Sequence, residues 1–182
     1  MRINSNFEFF RYGVNVRLAT ENDSEFLLSL RTDEKLSKYI HATSNDLELQ
    51  KQWMRGYKER EILGVDYYFI YSYQGFDFGV NRIYDIEPEE RGTGGSWICK
   101  RGIDAELSVS TLLIMRDIMF EILELKFDCF DVRRGNKHVQ KIHEMMGAKK
   151  VGETDLDFLY QLSKDDYLNK RNDIINLLNI KV

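Results

Sequence analysis

The residues whose types and order best suit chemistry fall in one stretch, residues 126–152. A hydrophobic strand is predicted over Phe127–Val132, and it stops near Gly135-Asn136, where an asparagine suits the start of a helix. An amphipathic helix follows, and Gly147 ends it ahead of another strand. The order strand, helix, strand therefore predicts one compact wall of a ligand cleft.

Two carboxylates, Asp85 and Glu87, lie at the end of another predicted strand. A carboxylate in such a place can act as a general base, either directly or through a water molecule. The simpler interpretation is a solvated acidic turn that also contains Glu89 and Glu90. The sequence leaves both interpretations open.

The two cysteines, Cys99 and Cys129, both lie in apolar runs that predict strands. Two buried thiols favour a reducing compartment over a disulfide scaffold, and no cysteines and histidines stand at metal-binding spacing. Cys99 has no base near it in sequence, which disfavours a nucleophilic role. We therefore predict a cytoplasmic protein without a metal.

Length and charge limit the classes of function. The chain has 182 residues, which suits a single domain over residues 1–182. Its net charge of −4 disfavours an electrostatic nucleic-acid binder. No apolar run approaches the roughly 20 residues that a membrane-spanning helix needs, and the N-terminus lacks the apolar core of a signal peptide. A small-molecule partner fits these limits best.

The elements that must position these residues follow the order β-α-α-β-β-β-α-β-α-β-β-α. Strands are predicted at Val14–Leu18, Asp66–Tyr73, Phe76–Ile86, Ser96–Cys99, Phe127–Val132, after Ala148 and at Phe158–Leu162. Helices are predicted after Thr20, Asp46, Asn136 and Ser163 and over Ala105–Leu125, and a polar turn is predicted over Glu87–Gly95. Antiparallel strands followed by crossovers indicate an α/β (α+β) fold with a mixed central sheet of six to seven strands flanked by helices.

This order resembles the GNAT superfamily of N-acetyltransferases over nearly the whole chain. The segment Asn136-x-x-Val139-x-x-Ile142-His143-Glu144-x-Met146-Gly147-Ala148 is similar to the family's closing signature. The opening strand with Arg17-Leu18, and Leu30-Arg31 after it, is similar to the ribosomal-protein and amino-sugar branches of that family. The resemblance implies a GNAT fold and acetyl-CoA as co-substrate.

The resemblance also implies where acetyl-CoA binds. A backbone N–H of Trp97–Cys99 would polarise the thioester carbonyl, and the loop before the long helix would hold the diphosphate. The implied cofactor-binding residues are Trp97, Ile98, Cys99, Lys100, Arg101, Gly102, Ile103, Asp104, Ala105 and Asn136. The loop departs from the family pattern, because only Gly102 and Ala105 are small. Asp104 would repel the phosphates, and Lys100 and Arg101 would offset that repulsion.

Three residues receive catalytic roles from the resemblance. His143 stands where many family members have a tyrosine that protonates the leaving thiolate, and an imidazole with a pKa of about 6.5 could do so if it were protonated. Asp85 and Glu87 stand where a general base is expected. The simpler interpretations are a polar residue on a half-exposed helix for His143 and a plain helix cap for Asn136.

The amine acceptor follows from resemblance too. Leu30–Asp33, followed by a helix with Gln50 and Trp53, looks like bacterial enzymes that act on amino sugars linked to nucleotides. Alternatives are acetylation of a protein N-terminus or small amine, and a GNAT-fold binding or regulatory module without catalysis. A third is an unrelated α/β domain, in which the strands at Ser96–Cys99 and Phe127–Val132 would be fully paired. The aromatic run Tyr67–Tyr71 packs either the core or a homodimer.

Overall fold

The computed structural model describes residues 2–182 and contains one mixed sheet of eight strands in the order β1-β2-β3-β4-β5-β6-β8-β7. The strands are β1 (Glu8–Arg11), β2 (Val14–Leu18), β3 (Asp66–Tyr73), β4 (Phe76–Glu87), β5 (Arg91–Cys99), β6 (Phe127–Arg133), β7 (Lys149–Glu153) and β8 (Asp157–Ser163). The helices are α1 (Ser24–Thr32), α2 (Leu47–Leu63), α3 (Ala105–Asp117), α4 (Lys137–Met145) and α5 (Lys164–Leu177). Neighbouring strands are antiparallel except β5 and β6, which are parallel. The predicted fold class is confirmed.

The sheet has one strand more than the six to seven predicted. Strand β1 forms a hairpin with β2 through Tyr12 and Gly13, whose φ angles are 55° and 74°. Two consecutive residues with positive φ make the tight turn that matches the twist of antiparallel strands. Tyr-Gly is a weaker turn signal than Asn-Gly, so the sequence did not predict this edge strand.

The predicted turn over Glu87–Gly95 is wrong in its second half, because β5 already begins at Arg91. The glycines there make room for neighbours. A Cβ on Gly94 would lie 2.6 Å from Cε of Met115, and one on Gly95 would lie 3.0 Å from the Tyr84 ring. These glycines therefore belong to a strand that other residues approach closely.

Helix α3 lies in the core. Every residue from Val109 to Asp117 is buried, and the helix continues into a wider π-helical turn at Ile118–Ile122. The predicted helix over Ala105–Leu125 therefore ends in a different geometry. No helix within residues 2–182 is both long and apolar enough to cross a membrane.

The aromatic run Tyr67–Tyr71 packs in the core, where its five side chains are at most 2% exposed. These residues offer no surface to a second copy. The homodimer stays a prediction that would have to use other residues.

Candidate active site

The parallel strands β5 and β6 separate almost at once. They pair only through Arg91 with Phe127 and Gly92 with Asp128, although both strands continue beyond this point. The interpretation as an unrelated α/β domain required full pairing, so the gap contradicts it. The separation opens a cleft of about 430 Å³ between the two strands.

This cleft brings together most of the predicted cofactor-binding residues and His143. The predicted residues that line it are Trp97, Ile98, Cys99, Lys100, Ile103, Asn136 and His143. Of the remaining ones, Arg101, Gly102 and Asp104 lie in the connection from β5 to α3, and Ala105 is the first residue of α3. One wall of the cleft is therefore β5, and the opposite wall is β6 with the start of α4.

A buried ion pair lies where the strands separate. The carboxylate of Asp128 accepts a hydrogen bond from the Gly94 N–H at 2.8 Å and from Nε of Arg116 at 3.2 Å. Both charged side chains are fully buried. Burial raises the pKa of Asp128, and the Arg116 charge opposes that rise. The pair thus ties β5, β6 and α3 together at the narrow end of the cleft.

The same arginine determines the state of His143. Nη2 of Arg116 lies 2.8 Å from Nδ1 of His143, whose ring packs against Phe130 with centroids 4.4 Å apart. A guanidinium can only donate, so Nδ1 accepts and the ring proton is on Nε2. Burial, and then the Arg116 charge, lower the pKa of His143 well below 6.5. The protonated ring on which the predicted acid role depended is therefore absent at neutral pH.

A β-bulge shapes β5 beside the cleft. Val80 pairs with Ile98 but Arg82 pairs with Gly95, so Asn81 alone lies opposite two residues of β5. Beyond the bulge the Lys100 N–H bonds to the Phe78 carbonyl on β4 at 2.7 Å. Backbone N–H groups alternate between the two edges of a strand, so the Cys99 N–H faces the gap. Past Asp128, this edge of β5 has no partner strand within residues 2–182, so it offers hydrogen-bond donors to a ligand.

The start of α3 also keeps free donors. Asp104 stands at the N-cap, but its side chain makes no cap hydrogen bond. The first N–H groups of a helix favour an anion when nothing caps them. Lys100 lines the cleft beside this end and makes no ion pair within the described chain, whereas Arg101 pairs with Asp33 at 3.1 Å. The free N–H groups and Lys100 suit a diphosphate, while Arg101 is already engaged.

Asn136 begins α4 as a helix cap. Its side chain accepts a hydrogen bond from the Val139 N–H at 3.4 Å, and it also lines the cleft. The cap is therefore present, and a contact between Asn136 and the cofactor stays a prediction.

Asp85 and Glu87 lie away from this cleft. Both line a separate surface pocket, and Glu87 pairs with Arg91 at 2.6 Å. This hydrogen bond lowers the pKa of Glu87, which makes it a weaker base. The structure does not bring these two carboxylates to His143, because the strand that carries them passes the apex of the gap before it ends.

Several residues at the site escaped sequence reasoning, above all Arg116, Asp128 and Asp131. Asp131 is an exposed carboxylate on β6 that lines the cleft and also an adjoining pocket toward α1. Arg116 and Asp128 each interrupt an apolar run, and a charge in a buried run is a signal for a partner. The pairing itself depends on tertiary structure.

Of the comparisons with known proteins, the search of solved structures finds similar ones. No protein-family model matches the sequence, and no curated protein matches it significantly. The structure is similar to apo FdhC, a nucleotide-linked sugar GNAT, with a TM-score of 0.84 and 32% identity over 95% of this chain and 99% of that one.

More distant structures share the fold. One is a ribosomal-protein-S5-alanine acetyltransferase from Vibrio fischeri, with a TM-score of 0.75 and 17% identity over 89% of this chain and 99% of that one. Another is a spermidine N-acetyltransferase from Vibrio cholerae in complex with CoA and spermine, with a TM-score of 0.74 and 15% identity over 87% of this chain and 100% of that one.

We predict that Asp128→Asn destabilises the fold by about 3–5 kcal/mol, because it leaves the Arg116 charge buried without a counter-charge. Urea denaturation measures the free energy of unfolding. Asp77→Asn is the matched control, because Asp77 pairs with Arg17 at 2.9 Å where both side chains are about one-third exposed; its loss should stay below about 1 kcal/mol. Equal losses in the two variants would contradict the role of the buried pair.

We also predict that His143 makes the protein less stable in mild acid. At pH 7.5 the His143 ring is neutral in the folded and in the unfolded protein. Below about pH 6.5 only the unfolded protein takes up a proton on this ring. The free energy of unfolding therefore falls by up to about 1.4 kcal/mol for each pH unit. Between pH 7.5 and 5.5 wild type should therefore lose more stability than His143→Gln. The exposed His138 is the control, since His138→Gln should follow wild type. Parallel curves for all three proteins would show that His143 binds protons in the folded state.

Proposed function

This chain belongs to the GNAT superfamily of acetyl-CoA-dependent N-acetyltransferases, and we propose that its acceptor is the primary amine of an amino sugar linked to a nucleotide. The observation that carries the acceptor class is the near full-length similarity to a nucleotide-linked sugar GNAT. The atypical loop before α3 was the reason to consider a binding module without catalysis, and the free N–H groups and Lys100 there supply phosphate donors despite that departure from the family pattern. The proposal includes the cytoplasmic location predicted from the two free thiols.

The edge of β5 supplies the electrophilic half of the reaction. A thioester carbonyl in the gap accepts a hydrogen bond from the Cys99 N–H, which stabilises the negative charge that develops as the amine attacks. The uncapped start of α3 and Lys100 hold the diphosphate of the co-substrate. These donors orient the thioester without forming any covalent bond to the protein.

His143 serves the leaving group in a different way from the predicted acid. A neutral imidazole is too weak an acid to protonate a thiolate, but its Nε2–H can donate a hydrogen bond to one. Nε2 makes no hydrogen bond within residues 2–182, and the residue lines the cleft. We assign His143 to hold the CoA thiolate while the carbon–sulfur bond breaks.

The amine half requires a group that attracts the ammonium and accepts its proton. Asp131 is the carboxylate that lines both the cleft and the adjoining pocket. We assign it that role. The ammonium first loses one proton to Asp131, which releases it to solvent, and the neutral amine then attacks the thioester carbon. As the carbon–nitrogen bond forms and the carbon–sulfur bond breaks, the nitrogen loses a second proton to Asp131. The thiolate takes up a proton from solvent, and the products are the amide and free CoA.

The acceptor class can be tested by comparing substrates with acetyl-CoA as donor. We expect kcat/KM to be highest for a nucleotide-linked amino sugar, lower for the same free amino sugar, and lowest for spermidine and for a peptide with a free N-terminus. Release of CoA thiol measures the rate. A peptide or polyamine as the best substrate would overturn the acceptor class, and no acetyl-CoA binding at millimolar concentration by calorimetry would overturn the activity.

Two substitutions should separate the roles in the site. Asp131→Asn should lower kcat/KM for the acceptor about 100-fold or more, as loss of a general base does. His143→Phe should lower kcat about tenfold through one lost hydrogen bond, with the KM for acetyl-CoA and the pH profile unchanged. Wild-type kinetics in either variant would remove that residue from the mechanism. An inflection near pH 6.5 in the wild-type pH–rate profile that His143→Phe lacks would restore the acid role.

A further inference from the structure

A further pocket, here called the Arg31–Tyr68 pocket, continues from the cleft toward α1 and α2. It has a volume of about 450 Å³, and its walls include Arg31, His41, Gln50, Trp53, Tyr68 and Tyr84. Ser96 at the β5 bulge lines this pocket and the cleft alike. An acceptor whose amine reaches the bulge can therefore extend into the pocket.

The Tyr68 hydroxyl is buried in this pocket without a partner. The residue is 2% exposed, and within residues 2–182 its hydroxyl makes no hydrogen bond. The ring is held edge-on against Trp53 and Tyr57, with centroids 6.0 and 6.1 Å away. Leaving a buried hydroxyl unpaired costs roughly 1–3 kcal/mol, so the position indicates a group that arrives from outside the chain.

Arg31 brings an uncompensated positive charge to the same pocket. Its Nε donates to Oγ1 of Thr43 at 2.8 Å, and the described residues that line the pocket include no carboxylate to pair with the guanidinium. The other cation of the pocket, Arg82, is engaged by Asp66, with Nε–Oδ1 at 2.7 Å. Burial raises the pKa of Tyr68, and Arg31 opposes that rise most, through its charge and through the approach of its side chain to the hydroxyl.

We propose that the Arg31–Tyr68 pocket binds the phosphate groups of the acceptor, with the two Nη groups of Arg31 and the Tyr68 hydroxyl as donors. A guanidinium fork matches phosphate oxygens in geometry and charge. The pocket is large enough for a diphosphate, and its continuity with the cleft leaves the sugar between the phosphates and the thioester. This inference rests on the proposed function, because it names the part of the sugar nucleotide that the enzyme recognises.

The test is calorimetric titration of the whole protein with inorganic pyrophosphate, with UDP and with uridine. CoA is kept at saturation so that the diphosphate site at α3 is filled. Wild type should bind pyrophosphate and UDP but not uridine. Arg31→Gln should weaken the binding of UDP about tenfold or more, the usual effect of losing a charged hydrogen bond.

Tyr68→Phe and Arg55→Gln make the test specific. Tyr68→Phe should weaken UDP binding severalfold yet leave the unfolding midpoint unchanged or higher, since the hydroxyl has no partner to lose. Arg55 lies on α2, pairs with Glu21 at 2.6 Å and does not line the pocket. Arg55→Gln should therefore bind UDP like wild type.

The outcomes separate this inference from the proposed function. If CoA binds while pyrophosphate and UDP do not, the phosphate site is wrong and the acetyltransferase assignment stands. If Arg31→Gln and Arg55→Gln bind UDP equally, or if Tyr68→Phe loses stability without losing affinity, the site is also overturned. Failure of acetyl-CoA to bind would instead overturn the proposed function.

Discussion

The structure depends on the early separation of β5 from β6. After two residue pairs, the Asp128 carboxylate replaces the backbone of β6 as the acceptor for the Gly94 N–H. Because Arg116 from α3 holds the other oxygen, a side-chain pair and a core helix determine where the strands part. The same guanidinium reaches His143, so the narrow end of the cleft and the ring that faces it share one buried cation.

This arrangement fits what is known of buried charges. Such a pair contributes little net stability relative to apolar residues of the same volume, but removal of one partner is costly. Its contribution here is geometric. It fixes one tautomer of His143 and keeps an edge of β5 open, and both features would be lost in a sheet that closed by regular pairing.

Much of the fold could be predicted, because hydrophobic periodicity and helix caps are local signals. Asp46 and Ser163 cap α2 and α5 as their sequence positions indicate. The glycines of β5 wrongly predicted part of a turn, because their close packing against Met115 and Tyr84 cannot be seen in the sequence. The co-substrate side of the cleft was predicted from the Asn136 segment, whereas the Arg116–Asp128 pair joins residues whose contact exists only in the folded chain.

The unpaired edge of β5 has an evolutionary consequence. A hydrogen-bond donor that belongs to the main chain is encoded by no particular codon, so a replacement of the Cys99 side chain that leaves the bulge intact also leaves the donor in place. The donors proposed for the acceptor phosphates, Arg31 and Tyr68, are side chains and change with a single replacement. Descendants of this chain could therefore diverge in the molecules they modify while their transfer chemistry stays constant.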